Sequence, residues 1–152
     1  MSAQGRRSVV SRRGPQPTAT YPHATVQGDL VWVTAQAGRD PGDGELVAGG
    51  LAGQLERAIA NLEGILEDCG SSLDRVIRTQ IMVVGEPDFD VIDAVYAMRF
   101  HEPWPVRTTF GVAFLAAEPG HETVRVQVDC VASIPGSPSP GTGEGAGRGG
   151  GE

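Results

Sequence analysis

The spacing of apolar residues changes along this chain in an order that constrains the fold more than any other feature. Residues 51–69 carry apolar side chains at helical spacing, and Gly70 follows as a C-terminal stop. Residues 123–132 instead alternate, with apolar side chains at every second position. A chain with both patterns must pack a helical layer on a sheet, which predicts an α+β fold.

The remaining segments predict the order of the elements. Residues 23–27 and 30–37 are β-prone and flank a Gly28-Asp29 turn, which predicts a hairpin. The helix over 51–69 is followed by a predicted strand over 75–84, and two further strands are predicted over 106–115 and 123–132. Between 84 and 106, Glu86-Pro87-Asp88 opens a second predicted helix, whose apolar stripe consists of Ile92, Val95, Tyr96 and Phe100. The order ββαβαββ predicts a mixed sheet with both helices packed on one face.

Composition predicts where the folded unit begins and ends. Residues 1 to about 20 hold four arginines and no acid, and 11 of the 18 residues in 135–152 are Gly or Pro. Both segments are expected to be disordered. One domain over 21–134 remains, whose 17 acidic residues and seven arginines give a net charge near −10. Because the whole chain also carries a net charge of −7, we expect it to bind neither nucleic acid nor a membrane.

The residue types that are missing exclude several kinds of chemistry. All 12 basic residues are arginines, so the chain has no lysine for a P-loop, a Schiff base or a general base. The three histidines and the cysteines Cys69 and Cys130 show no metal-ligand spacing. We therefore expect no structural zinc and no cofactor that a lysine would bind. The two unpaired-looking cysteines indicate a reducing, cytoplasmic compartment.

The last two predicted strands place polar residues on sheet faces. In the final strand Gln127, Asp129 and Val131 are expected to point away from the helices. In the strand before it, Arg107 alternates onto the same side as three small residues, Thr109, Gly111 and Ala113. A solvated sheet face is the simpler interpretation. The small residues favour the alternative, in which this face packs against another subunit or a ligand.

Five features resemble the Rid family, the YjgF-like enamine and imine deaminases. Residues 57–79, RAIANLEGILEDCGSSLDRVIRT, are similar without gaps to the family pattern QALENLKAILEAAGSSLDDVVKT. Residues 89–96 resemble the family's entry to the second helix, and Pro105-Val106-Arg107-Thr108-Thr109 resembles its Pro-Ala-Arg-Ser signature. Residues 126–132 resemble its VEIDAVA strand. Tyr21 and Gln36 stand fifteen residues apart, like the family's cleft tyrosine and Gly-Gln motif.

The resemblance implies a chorismate-mutase-like fold and a homotrimer with clefts at the subunit boundaries. It also implies an enzyme that hydrolyses reactive 2-enamine or 2-imine acids to 2-keto acids and ammonia without a cofactor. In the family, the arginine at the position of Arg107 binds the substrate's carboxylate. A guanidinium suits this role because it presents two parallel donors. The alternative for Arg107 is a surface arginine paired with an acid.

The resemblance also assigns the other site residues and shows where this chain departs from the family. Gln127 replaces the glutamate that positions the hydrolytic water, and an amide cannot accept that water's proton. Ala35 replaces a glycine close to the ligand. Tyr21, Thr108, Thr109 and Asp129 complete the predicted substrate-binding set, although Tyr21 could instead cap the core and the threonines could simply favour the strand. These departures keep a second function open, a trimer that binds small carboxylates without turnover or acts as a regulatory or chaperone-like protein.

Overall fold

The computed structural model describes residues 5–115 and 123–136, and they form six strands and two α-helices. The strands are β1 (Arg7–Val9), β2 (Ala24–Gln27), β3 (Leu30–Ala37), β4 (Val76–Val84), β5 (Val106–Val112) and β6 (Val126–Ser133), and the helices are α1 (Gly50–Asp68) and α2 (Phe89–Arg99). A short 3₁₀ turn, Leu73–Arg75, precedes β4. The predicted α+β fold with ββαβαββ at its centre is confirmed, with β1 as an additional strand.

All six strands belong to one mixed sheet in the order β1-β2-β3-β6-β4-β5. The β2–β3 hairpin pairs Gln27 with Leu30, so Gly28 and Asp29 form the predicted two-residue turn, and Gly28 has a φ of 61°. Strand β6 enters the middle of the sheet and pairs antiparallel with both β3 and β4. Strand β5 pairs only with β4, in parallel, and forms one edge of the sheet.

Both helices cover the same face of this sheet, as predicted. From α1, Leu55, Ile59, Leu62 and Leu66 are fully buried, and alternate residues of β6 complete the core beneath them. The predicted apolar stripe of α2 faces the same core, where Ile92, Tyr96 and Phe100 are buried and Val95 is half-buried. The other face of the sheet carries no element in the described residues. We call it the open face.

The N-terminal arm is ordered from residue 5, contrary to the prediction of disorder over residues 1–20. Strand β1 extends the sheet by pairing with β2, and Ser11, which follows it, is 2% exposed. The Ser11 backbone N–H donates to Nδ1 of His23 at 2.8 Å, and the ring's Nε2–H donates to the Pro15 carbonyl at 2.6 Å. Composition missed these contacts because strand pairing and polar contacts hold the arm, among them the His23 hydrogen bonds and the one from Ser11 Oγ to Asp68, and not an apolar run.

Two buried amides of α1 hold the loops at one end of the sheet. Asn61 donates to the carbonyls of Ala37 and Arg39, the residues with which the chain leaves β3. Gln54 accepts from the Arg125 N–H at 2.8 Å, just before β6. Because α1 fixes both segments, the C-terminal end of β3 and the start of β6 have defined positions relative to the core.

Other predictions concern the ends of the chain and the membrane. The Gly- and Pro-rich segment from residue 137 onward lies outside the described residues, as do residues 1–4. None of the helices in the described ranges combines the length and the apolar character that crossing a bilayer requires.

Candidate functional site

Arg107 lies near the start of edge strand β5 and its side chain points toward α2. Its Nη2 donates to Oδ1 of Asp93 at 2.6 Å, and its guanidinium carbon lies 4.9 Å from the centre of the Tyr96 ring. The register explains this direction, since Arg107 pairs with Thr79 of β4, which is fully buried. Arg107 therefore occupies the rim between β5 and α2.

The Tyr96 ring, over which Arg107 lies, is held by a hydrogen bond to the core. The Tyr96 hydroxyl and Thr79 Oγ1 form a hydrogen bond of 2.9 Å inside the core. Burial raises the pKa of the Tyr96 phenol, while the Thr79 hydrogen bond and the Arg107 charge act in the opposite direction. Tyr96 is thus a neutral, buried ring with a hydrogen-bonded hydroxyl, and the guanidinium lies over its face as a cation over an aromatic ring.

The predicted alternation placed Arg107, Thr109, Gly111 and Ala113 on the same face as Val131, and this is wrong. Thr109 and Gly111 pair with Ile81 and Val83 of β4, which belong to the core, so they lie on the helix-covered side. Ala113 follows the end of β5. Sequence alternation gives two faces for each strand, but only the pairing register decides which faces coincide.

The small residue at position 111 packs within this chain. A Cβ on Gly111 would stand 2.3 Å from the Gly85 carbonyl oxygen and 3.5 Å from Cδ of Pro87. The segment between β4 and α2 therefore lies directly against the position that a side chain at residue 111 would occupy. Thr109 Oγ1 is also buried and has no hydrogen-bond partner within residues 5–115 and 123–136.

Gln127, Asp129 and Thr108 lie together on the open face. Asp129 of β6 and Thr108 of β5 both pair with Gln80 of β4, and Gln127 pairs with the next open-face residue, Met82. A row of amide, hydroxyl and carboxyl groups therefore crosses three strands. Gln80 was not singled out in the sequence, although its alternation with the apolar residues of β4 was a signal for this position.

Asp129 is the ionisable group in this row. Desolvation raises the pKa of its carboxyl group, and the charge of Arg78 opposes that shift only in part. Asp129 is half-buried although the open face carries no covering element in the described residues. Its carboxylate is therefore already held in an environment that disfavours the charge.

The other predicted contact residues lie on strands or segments distant from β5, toward the opposite edge of the sheet. Ala35 stands at an irregularity of β3, where the pairing with β6 shifts register between Val33 and Gln36. Gln36 is buried, and its side-chain amide donates to the Thr34 carbonyl at 3.0 Å. Tyr21 precedes β2 and is 44% exposed, so it does not cap the core.

One chain does not bring the predicted site residues together. Strands β6 and β4 lie between β3, which carries Ala35, and β5, which carries Arg107. Three inter-strand spacings separate the two by about 14 Å. Gln127 and Thr108 also face the opposite side of the sheet from Arg107. A cleft that includes all of these residues requires a second copy of the chain.

Asp93 is the site residue that sequence reasoning missed. It lies on α2 one turn before Tyr96, and the spacing of three places both side chains on neighbouring positions of the helix surface. That spacing was visible in the sequence, but the approach of β5 was not. Asp93 is the acid that the alternative interpretation of Arg107 required.

A surface depression lies elsewhere, between the C-terminal halves of α1 and α2. It has a volume of about 440 Å³ and is lined by Glu63, Glu67, Ser72, Leu73, Asp74, Met98, Arg99 and His101. Two of its acids are already paired, Glu63 with Arg99 and Glu67 with Arg13. Across the ranges that the structure describes, no three His, Cys, Asp or Glu side chains are grouped closely enough to hold a metal ion.

Comparison with known proteins identifies the family. The sequence profile described as endoribonuclease L-PSP matches residues 11–134. The chain belongs to the endoribonuclease L-PSP family. The resemblance to Rid proteins is therefore confirmed, and the match begins at Ser11, inside the arm that the structure shows to be ordered.

Relatives of this L-PSP family protein include enzymes named as deaminases. A human protein named 2-iminobutanoate/2-iminopropanoate deaminase is 27% identical over 132 residues, which cover 87% of this chain and 93% of the relative. A fruit fly protein named RutC family protein UK114 is 30% identical over the same length, covering 92% of the relative. The crystal structure of RidA from a Psychrobacter species superposes with a TM-score of 0.76 at 28% identity, covering 84% of this chain and 99% of the other.

Proposed function

We propose that this protein hydrolyses reactive 2-imino acids, or their enamine tautomers, to 2-keto acids and ammonia. The observation that carries the proposal is Arg107, an arginine that Tyr96 supports at the rim between β5 and α2, and only Nη2 of its guanidinium is hydrogen-bonded to a residue that the structure describes. Membership of the L-PSP family and the deaminase names of its relatives support it. The domain is strongly acidic, so a positioned arginine is what would attract an anionic substrate.

The proposed reaction needs little from the protein beyond binding and orientation. Water oxygen adds to the imine carbon, the nitrogen takes up protons, and the resulting carbinolamine releases ammonia as the carbonyl forms. The imine carbon is already electrophilic, so fixing the carboxylate and holding one water would suffice without a cofactor. In this proposal Arg107 binds the carboxylate, Gln127 orients the water, and Tyr21, Ala35, Thr108, Thr109 and Asp129 surround the substrate.

The cleft of this proposal forms between subunits of a homotrimer. Two facts support the assembly. Ala35 and Arg107 are too far apart in one chain to contact one small molecule, and the open face leaves large apolar side chains in solvent, including Trp32 at 42% and Val106 at 65% exposure. Burial of such a patch between copies would remove it from water. We further propose a reducing, cytoplasmic location, because both cysteines are free and buried.

A coupled assay tests the reaction. An amino-acid oxidase generates the 2-imino acid, and semicarbazide traps whatever imine remains, so an active protein lowers the semicarbazone yield. We expect Arg107→Ala to remove this effect. Arg99→Ala is the matched control, because it removes another arginine that is paired with an acid, Glu63, at the helical surface. A wild-type protein that leaves the yield unchanged would contradict the proposal.

A second candidate function is carboxylate binding without turnover. It is favoured by Gln127, whose amide cannot act as a base. Gln127→Glu separates the two functions. An enzyme that uses Gln127 to orient water changes its rate in this variant, whereas a binding protein stays inactive or gains activity.

A further inference from the structure

Asp93 leaves part of the Arg107 guanidinium free for a ligand. The structure gives one hydrogen bond between them, from Nη2 to Oδ1, and Nε and Nη1 have no hydrogen-bond partner in residues 5–115 and 123–136. Because Nη2 carries two N–H groups, one of them remains to form a two-donor edge with a neighbouring nitrogen. A ligand carboxylate can therefore bind Arg107 while Asp93 stays in place.

The two partners of this ion pair differ in their access to solvent. The Asp93 side chain is 60% exposed, whereas the Arg107 side chain is 25% exposed because it lies over Tyr96. An approaching ligand therefore meets the carboxylate of Asp93 as well as the guanidinium. A purely anionic ligand would place a second negative charge on the same guanidinium, whereas a ligand with a positive nitrogen beside its carboxylate would complement both partners.

We propose that Asp93 is a specificity-determining residue, which makes the Arg107 site prefer 2-amino acids and protonated 2-imino acids over 2-keto acids. This inference rests on the proposed function only in taking Arg107 as the carboxylate-binding group. For a deaminase the preference has a direct consequence. The zwitterionic substrate is attracted, and the anionic keto acid that replaces it is repelled and released.

The test compares two ligands that share one carbon skeleton, 2-aminobutanoate and 2-oxobutanoate. Their affinities for the full-length protein are measured by calorimetric titration at pH 7 for the wild type and for Asp93→Asn. The amide keeps an oxygen that can accept from Nη2, so Arg107 stays oriented while the charge is lost. Asp90→Asn is the control, because Asp90 is an exposed acid on the same helix and its loss changes the net charge equally.

In Asp93→Asn we expect 2-oxobutanoate to bind about two- to three-fold more tightly and 2-aminobutanoate about two- to three-fold more weakly, as for a solvent-exposed charge pair. The ratio of the two affinities then falls about four- to nine-fold, while Asp90→Asn leaves it unchanged. An unchanged ratio in Asp93→Asn overturns the inference, and so does a wild type that binds neither ligand. The proposed function is tested separately by turnover in the coupled assay. A protein without deaminase activity can still show the shifted affinity ratio in Asp93→Asn, and a protein with deaminase activity can lack it.

Discussion

The guanidinium carbon of Arg107 lies 4.9 Å from the centre of the Tyr96 ring, and the hydroxyl of that ring is hydrogen-bonded to Thr79. A residue of the edge strand is thereby supported by a residue of the second helix. The same helix supplies Asp93, so α2 determines both the position of Arg107 and the net charge of the ion pair that it forms. Arg107, which the family resemblance assigns as the carboxylate-binding group, is therefore positioned by α2, a helix on which the sequence predicts no site residue.

Replacement of Arg107 by alanine should abolish carboxylate binding and change stability little. Its ion pair with Asp93 is solvent-exposed, and such pairs and exposed cation–π contacts contribute about 0.5–1 kcal/mol each. Calorimetric titration with 2-oxobutanoate and a thermal melt measure the two effects on one variant. Arg107→Lys should recover little binding, because an ammonium lacks two parallel donors. A large drop in Tm with retained binding would instead identify Arg107 as a structural residue.

Thr109→Val should leave stability unchanged or raise it by about 1 kcal/mol. The buried Thr109 hydroxyl has no hydrogen-bond partner in the described part of the chain, and a buried unsatisfied polar group costs about 1–3 kcal/mol. Valine keeps the shape and the β-branch of threonine without that hydroxyl. Urea denaturation measures the change. A clear loss of stability or of ligand binding in this variant would show that the hydroxyl has a partner, in a second subunit or in the ligand.

Asp129→Asn should raise Tm at neutral pH. Burial raises the pKa of Asp129 in the folded protein, so the folded state holds the proton more tightly than the unfolded state. Stability therefore falls as pH rises from the unfolded-state pKa, about 3.9, through the higher folded-state pKa. The amide abolishes this penalty, and the gain should vanish below about pH 3.9.

Melting curves of the wild type and Asp129→Asn between pH 3.5 and 7.5 measure this difference. Asp90→Asn is the control, because Asp90 lies in the first turn of α2, where a negative charge is favourable. That variant should lose stability slightly at neutral pH. A gain for Asp129→Asn that does not depend on pH would mean that desolvation of the carboxylate is not its cause.

His23→Phe should release the N-terminal arm. Phenylalanine keeps the aromatic volume but removes both ring nitrogens, leaving the Ser11 N–H and the Pro15 carbonyl without their partners. We expect a loss of about 2–4 kcal/mol from the two unpaired groups. Hydrogen exchange should accelerate in Arg7–Val9 but not in α1. Val10→Ser, at a residue of the arm that is 62% exposed, is the control and should leave exchange unchanged.

Phe110→Glu should dissociate the predicted trimer. Phe110 is 38% exposed and lies on the open face of β5, as Val106 does, and a carboxylate there would be buried between subunits without a partner. Analytical ultracentrifugation should change from a trimer near 48 kDa, three times the 15.9 kDa chain, to a monomer. Met98→Glu makes the same kind of change on the exposed surface of α2 and should leave the trimer intact. A wild type that sediments as a monomer at micromolar concentration would refute the assembly.

Local sequence patterns determined most of the secondary structure. The apolar spacing of 51–69 and the stop at Gly70 predicted α1, which spans Gly50–Asp68, because a helix needs one continuous apolar face and a residue that tolerates positive φ after its end. The Gly28-Asp29 turn predicted the β2–β3 hairpin for a similar reason, since two residues suffice to define it. The helix and the hairpin depend on residues that are close together in the chain, so the sequence alone is enough to predict them.

Relations between distant elements were decided only by the tertiary structure. Alternation predicts the two faces of β5 and of β6 correctly within each strand. It also predicts Arg107 and Gln127 on one face, but they lie on opposite faces, because the register of β4 with each neighbour sets that relation. Asp93 and Arg107 are 14 positions apart and meet because β5 runs beside α2. The arm is likewise held by contacts with distant residues, which include the two His23 hydrogen bonds and the one from Ser11 Oγ to Asp68, and no local pattern predicts them.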